Sequence, residues 1–277
     1  MGIAKFILEG VTQIDVTSDT VTSNNLLSGY IATGADGERV VGAYTGEGNI
    51  NPYVMRTVTS FDSTISYLGT GAFRSCATLL TVNIPQCTSI GTEAFRDCTS
   101  LTTVYASNCE NILGGAFSYC TELTDISFPN CKSIGPNAFV NCNIRIASFP
   151  ECEYIYTQAF GLCSSLTEAF FPKCTTMYSM AFAYCYSLSS LYFPKITTIS
   201  ASCFRGCSAI TEINPIMFPS LSLIIGNYAF FDCRNLVSVN LPSCTGVGLS
   251  AFMECSSLVN VSLPMCTEIA EYAFMNA

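Results

Sequence analysis

Apolar residues recur two apart in short runs along this chain: Val82 with Ile84, Val104 with Ala106, Ile126 with Phe128, Leu191 with Phe193, Val239 with Leu241 and Val261 with Leu263. Side chains two apart share one face of a strand, so Thr103 and Tyr105, flanking Val104, point the other way. Pro129, Pro172, Pro194, Pro242 and Pro264 follow such runs and end each strand, because proline cannot donate to a ladder. A longer period carries these runs. Phe73, Phe95, Phe117, Phe139, Phe160, Phe182, Phe204, Phe230, Phe252 and Phe274 are spaced 22, 22, 22, 21, 22, 22, 26, 22 and 22 residues apart. A single 22-residue unit cannot bury its apolar face alone, so the units must stack into one continuous core with parallel strands. Segments such as "CTSIGTEAFRDC" supply Ile90 as a second inward residue and Gly91 for a bend. The Ala-Phe pair is expected to open a short turn of helix at the back, with Phe95 filling the core. The 26-residue step from Phe204 to Phe230 holds "INPIMFPSLSLII" and predicts a loop or bulge of about four extra residues.

Cysteine keeps the same register. Cys76, Cys98, Cys120, Cys142, Cys163, Cys185, Cys207, Cys233 and Cys255 each fall three residues after a Phe. A second series, Cys87, Cys109, Cys131, Cys152, Cys174, Cys244 and Cys266, has Ile196 and Leu221 in its place in two repeats. Stacked rungs about 4.8 Å apart would permit disulfides, but register-locked inward positions favour reduced thiols acting as small hydrophobes. The chain has no His and no C-x-x-C pair, so a metal site is not expected. Cys203 replaces the Ala of its repeat.

The unit "LTTVYASNCENI" fits the leucine-rich repeat signature L-x-x-L-x-L-x-x-N/C-x-L with its last spacing one residue longer. The units "LTDISFPNCKSIGPNAFVNC" and "LVSVNLPSCTGVGLSAFMEC" resemble the Treponema-type, or BspA-like, leucine-rich repeats of bacteria over about residues 55–277. That resemblance implies a right-handed curved solenoid of about ten repeats with a parallel concave β-sheet. It also implies a surface or secreted protein that binds other macromolecules, with no catalytic residues and no cofactor.

Residues 1–54 lie outside the repeat. "DTVTSNNLLSGYIATGADGERVVGAYTG" reads as short strands joined by Gly-containing turns, a small β-rich module or cap for the first repeat. It is also similar to short segments of prophage tail proteins, which implies a phage virion as the alternative location. The opening "MGIAKFILEGVTQ" lacks the long apolar centre of a secretory signal, and no apolar run reaches membrane-helix length.

Charge narrows the partners. With a net charge of -9 and eleven scattered Lys and Arg, the chain offers no basic face for nucleic acid. The missing His removes most nucleophilic triads. Asp125, Glu168 and Glu212 occupy one outward strand position in every second repeat. Two rungs would separate neighbours by about 9.5 Å, near the spacing of inverting glycosidases. The competing reading is an acidic, solvated sheet face. The adjacent outward column contains Tyr105, Phe170 and Tyr192, with Ile146 and Glu168 beside the last two. Exposed rings among small polar residues suit binding of protein or glycan. The expectation is therefore a non-enzymatic, adhesin-like module using Tyr105, Asp125, Ile146, Glu168, Phe170, Tyr192 and Glu212. A carbohydrate-active enzyme is the alternative. The last Ala-Phe unit carries no recognisable polar cap, which predicts end-to-end homodimers.

Overall fold

The computed structural model describes residues 59–277 and, before them, the strands Ala4–Lys5, Asp15–Val16, Ile31–Thr33 and Arg39–Val41. Those four form an antiparallel sheet in the order Asp15–Val16, Ala4–Lys5, Ile31–Thr33, Arg39–Val41. The expected cap or attachment role of residues 1–54 lies outside the described residues.

From residue 59 the chain is a parallel-strand solenoid of about ten turns. Most turns contribute a three-residue strand and then a two-residue strand. Ser60–Asp62, Thr81–Asn83, Thr103–Tyr105 and Asp125–Ser127 form one parallel ladder. Ile146–Ser148, Glu168–Phe170 and Ser190–Tyr192 form a second, and Glu212–Ile213, Ser238–Asn240 and Asn260–Ser262 a third. The two-residue strands run unbroken from Tyr67–Leu68 to Thr176–Met177 and again from Ile224–Ile225 to Glu268–Ile269. The middle residue of most three-residue strands is buried and its neighbours exposed, as the two-residue alternation requires.

No helix forms at the back among the described residues, contrary to the short turn of helix expected there. Ala94, Arg96 and Cys98 donate three residues back within their own rung, to Gly91, Glu93 and Phe95. The residues between them donate to the next rung: Glu93 to Gly114, Phe95 to Ala116 and Asp97 to Ser118, at 2.7 to 2.9 Å. A helix would consume all of these N–H groups internally and leave the stacked rungs unlinked. Left-handed residues four apart turn alternate peptides toward the neighbour, with Glu93 at φ 53° and Asp97 at φ 60°. Gly115 and Gly206 take this conformation without the steric cost that a Cβ brings. Gly91 serves close approach rather than a bend. A Cβ there would lie 2.6 Å from the backbone of Leu68 and Gly69 in the preceding rung.

The 26-residue step is also divided differently from the single loop expected. Buried Ile213 and Phe218 stand five apart where Leu191 and Phe193 stand two apart, so three extra residues fall there. Leu221 and Ile225 stand four apart against three for Ile196 and Ile199, which takes up the fourth.

Phenylalanine dominates the core. Rings from Phe73 to Phe274 stack in one uninterrupted column with centroids 5.1 to 5.7 Å apart and planes within 11°. A second column, Phe128, Phe149, Phe171, Phe193 and Phe218, meets the first at steep angles. Offset stacks and edge contacts of this kind add to the burial of the rings.

All seventeen cysteines are free thiols, buried except for the partly buried Cys266. They do more than fill space. Cys98, Cys120, Cys142, Cys163, Cys185, Cys207, Cys233 and Cys255 each donate to the carbonyl of the Phe in the preceding rung, at 2.9 to 3.2 Å. The second series donates two residues ahead, as Cys109 does to Asn111 and Cys131 to Ser133.

Burial pushes the thiols of Cys131, Cys163, Cys174, Cys203 and Cys255 up to about 12 each. A thiol that holds its proton more tightly when folded stabilises the fold fully below the unfolded value near 9 and loses that contribution as pH rises toward 12. Urea midpoints are therefore expected to stay level from pH 6 to 8 and to fall between pH 9 and 12. Each thiol contributes up to about 1.4 kcal/mol per pH unit there. A midpoint unchanged at pH 10.5 would contradict this. Substituting Phe139→Ala is expected to cost about 3–5 kcal/mol, because Phe139 stacks on both Phe117 and Phe160. Chemical denaturation of the variant beside the parent checks it.

Candidate functional site

The outward residues of the three-residue strands form two columns on one face. In the middle ladder, Ile146 pairs with Glu168 and Glu168 with Ser190, while Ser148 pairs with Phe170 and Phe170 with Tyr192. Strand pairing thus brings Ile146, Glu168, Phe170 and Tyr192 together. Ile146 is 50% exposed, Phe170 43% and Tyr192 37%. The Phe170 and Tyr192 rings stack at 5.2 Å with planes 9° apart. They form a rigid aromatic platform, and its Phe170 end adjoins the small side chain of Ser148.

Of the other predicted residues, Tyr105 and Glu212 do not join this cluster, and Asp125 meets it only across an open cavity that it lines with Ile146. Tyr105 is exposed but belongs to the first ladder, in register with Asn83 and Ser127. Asp125 lies on the last strand of that ladder and accepts from the Thr124 hydroxyl at 3.1 Å. Glu212 opens the third ladder and accepts from Asn214 Nδ2 at 3.0 Å. The three carboxylates sit on three different ladders, so continuous strand pairing does not link them as the even two-rung spacing of about 9.5 Å assumed. Asp125 and Glu168 are separated by the first break, Glu168 and Glu212 by the second. Among the described residues, no group of His, Cys, Asp or Glu is placed to hold a metal ion, and no helix is long and apolar enough to cross a membrane.

The first break has a local cause. Other repeats place two residues between Cys and the following buried Leu, as in Cys98 to Leu101 and Cys120 to Leu123, but only Asn143 separates Cys142 from Ile144. The shortened rung cannot reach the preceding strand. Asp125–Ser127 and Ile146–Ser148 keep every Cα pair more than 8 Å apart, although Ser133–Ile134 and Tyr154–Ile155 of the same two turns are paired. Backbone bonds made at equivalent places are missing. Asp125 and Glu168 donate backward to Thr102 and Arg145, whereas Ile146 has no such bond. Ala106 and Phe149 donate forward to Ser127 and Phe170, whereas Phe128 does not. Ile126 becomes partly exposed where Val104 and Ala147 are buried. An open cavity of about 540 Å³ follows, lined by Thr124, Asp125, Ile126, Arg145, Ile146 and Ser148.

Arg145 was not among the residues expected from sequence. Its signal was the 21-residue step between Phe139 and Phe160, one residue short between Cys142 and Ile144, just ahead of Arg145.

These features define a leucine-rich repeat solenoid whose exposed strand face carries its distinctive side chains. The family described as BspA type leucine rich repeat region matches in six copies, over residues 55–167, 88–211 and 209–277, and the chain belongs to that family. Among solved structures, it is similar to a leucine-rich repeat protein from Bacteroides ovatus at 21% identity and a TM-score of 0.41, covering 83% of this chain and 86% of that one. A leucine rich cell surface protein from Faecalibacterium prausnitzii is 20% identical with a TM-score of 0.38, over 89% and 96% of the two chains. The leucine rich repeat protein of Treponema pallidum is 21% identical with a TM-score of 0.43, over 84% and 88%. A search of curated proteins returns no match.

The opened ladder makes a prediction for the free protein. Hydrogen exchange resolved to single amides is expected to be faster at Ile146 and Phe128 than at their register equivalents Glu168 and Ala106. Equal protection at all four would mean that the ladder is continuous in solution.

Proposed function

We propose that this protein is a non-enzymatic recognition module of a bacterial surface that binds a protein or glycan through its strand face. The Phe170–Tyr192 platform carries the reading. Two stacked, exposed rings on a rigid sheet bury apolar area on contact with little loss of side-chain freedom. Ile146 and Glu168 beside them supply an apolar edge and an acidic hydrogen-bond acceptor. The family assignment supports it, since stacked repeats of this class present extended surfaces for partners. An adhesin-like role at the cell surface is the form proposed, with recognition by a phage tail as the alternative location.

The test screens the full chain, its Phe170→Ala and Tyr192→Ala double variant and Glu168→Gln against arrays of host-surface proteins and glycans. A partner held by the parent is expected to bind the double variant at least tenfold more weakly, a loss in the range of interface hot spots. Thermal unfolding should be nearly unchanged, because both rings are outside the core. Glu168→Gln should lose little. Equal partner binding by the double variant would refute the platform, and polysaccharide turnover abolished by Glu168→Gln would restore the enzymatic reading. Immunogold labelling of native cells, with and without prophage induction, separates the envelope from released tails as the location.

A further inference from the structure

The break between Asp125–Ser127 and Ile146–Ser148 differs in kind from the exposed face around it. It presents two parallel strand edges that point at each other without pairing. Adjacent strands stand about 4.8 Å apart, and a strand inserted between two others needs roughly twice that, ~9.6 Å. The observed separation exceeds 8 Å at every residue, so little further opening is required. The two-residue ladder and the back of the same two rungs stay hydrogen-bonded: Lys132 accepts from Glu153 and Tyr154, and Ala159 accepts from Phe139. The opening is therefore a wedge held by its closed sides.

What lines the wedge indicates what fits it. The backbone donors of Ile146 and Phe128 lack the bonds made by their equivalents, and so do the carbonyls of Thr124 and Ser148 that would receive them. An extended polypeptide carries donors and acceptors at the spacing needed to meet both edges. A glycan offers hydroxyls but no such repeat. Side chains add selectivity at the mouth. Asp125 lines one wall, Arg145 and exposed Ile146 the other, and partly exposed Ile126 forms an apolar floor. Among the described residues, no carboxylate forms an ion pair with Arg145. A segment with an apolar residue pointing inward and opposite charges at its flanks would complement these walls.

We propose that this slot accepts an extended segment of a partner protein as an added strand between the two ladders, joining seven strands into one sheet. The proposal rests on the strand face being the binding face and names its partner class as protein. Its occupant is about three residues long in the paired part, matching the strands on either side. The Phe170–Tyr192 platform, on the next two rungs, then contacts the same partner beyond the slot.

The experiment uses a phage-displayed library of random dodecapeptides selected on the full chain. Peptides that bind the parent are measured against three variants. The first inserts one Thr after Cys142, restoring the usual repeat length and closing the wedge. The second is Ile146→Pro, which removes the wall donor that makes no bond in the free protein. The third is the Phe170→Ala and Tyr192→Ala double variant. Binding is expected to fall at least tenfold in the first two and to persist in the third, with exchange at Phe128 and Ile146 slowed by the peptide in the parent. Selected peptides that bind the Thr insertion as well as the parent would overturn the slot. So would a selection that yields no peptide while a glycan ligand of the parent is lost on the insertion. Loss in the platform variant alone would uphold the proposed function and overturn the slot. The circular dichroism and melting temperature of the insertion variant confirm that it remains folded, and Ile146→Pro provides an independent check of the same wall.

Discussion

Everything in this molecule depends on keeping successive rungs at one strand spacing. Backbone bonds set that spacing along the strands and again at the back, where every second N–H leaves its own turn for the next. The phenylalanine column has to obey it: rings 5.1 to 5.7 Å apart can stack only if the rungs beneath them repeat evenly. One series of thiols reinforces it from the inside, Cys98 reaching the carbonyl of Phe73 and Cys120 that of Phe95 in the preceding rung. A residue at these positions is therefore judged by its fit to the neighbouring turn as much as to its own.

That constraint explains why small errors in repeat length have large local effects. Losing one residue at Asn143 leaves the core column intact, since Phe139 and Phe160 still stack at 5.2 Å, but separates the strands on the outer face. Gaining four residues after Ile210 does the same at the other end of the middle ladder, while Phe204 and Phe230 remain stacked at 5.3 Å. The buried side absorbs nothing, because a void among phenylalanines is costly. The solvated side absorbs the mismatch, because water can satisfy exposed backbone groups there. Irregularity is thus driven to the exposed strand face.

Asp125, Glu168 and Glu212 share a register in the repeat yet end on three separate ladders, each with only local partners or none in common. The aromatic pair is different in that strand pairing itself brings the rings into contact. Phe170 and Tyr192 need no folded loop to position them, only the two adjacent rungs that the repeat already provides.

The sequence alone determined the parallel solenoid, the inward Phe and Cys columns and the adjacency of Ile146, Glu168, Phe170 and Tyr192. A 22-residue period, kept in seven of the nine steps between Phe73 and Phe274, converts position in the chain into position on a rung. Three matters were decided only in the tertiary structure. The back segment is not helical, because the N–H groups that a helix would use internally are drawn to the adjacent turn. The four extra residues after Ile210 divide into three and one, because Phe218, Leu221 and Ile225 each have to regain their place in the core. Arg145 and the opening beside it came from one missing residue, visible in the sequence between Cys142 and Ile144 but not as a gap on one side of the rung. Which side of a rung yields to a shortened chain depends on the relative cost of a gap in the core and a gap in water, and that comparison exists only once the rungs are stacked.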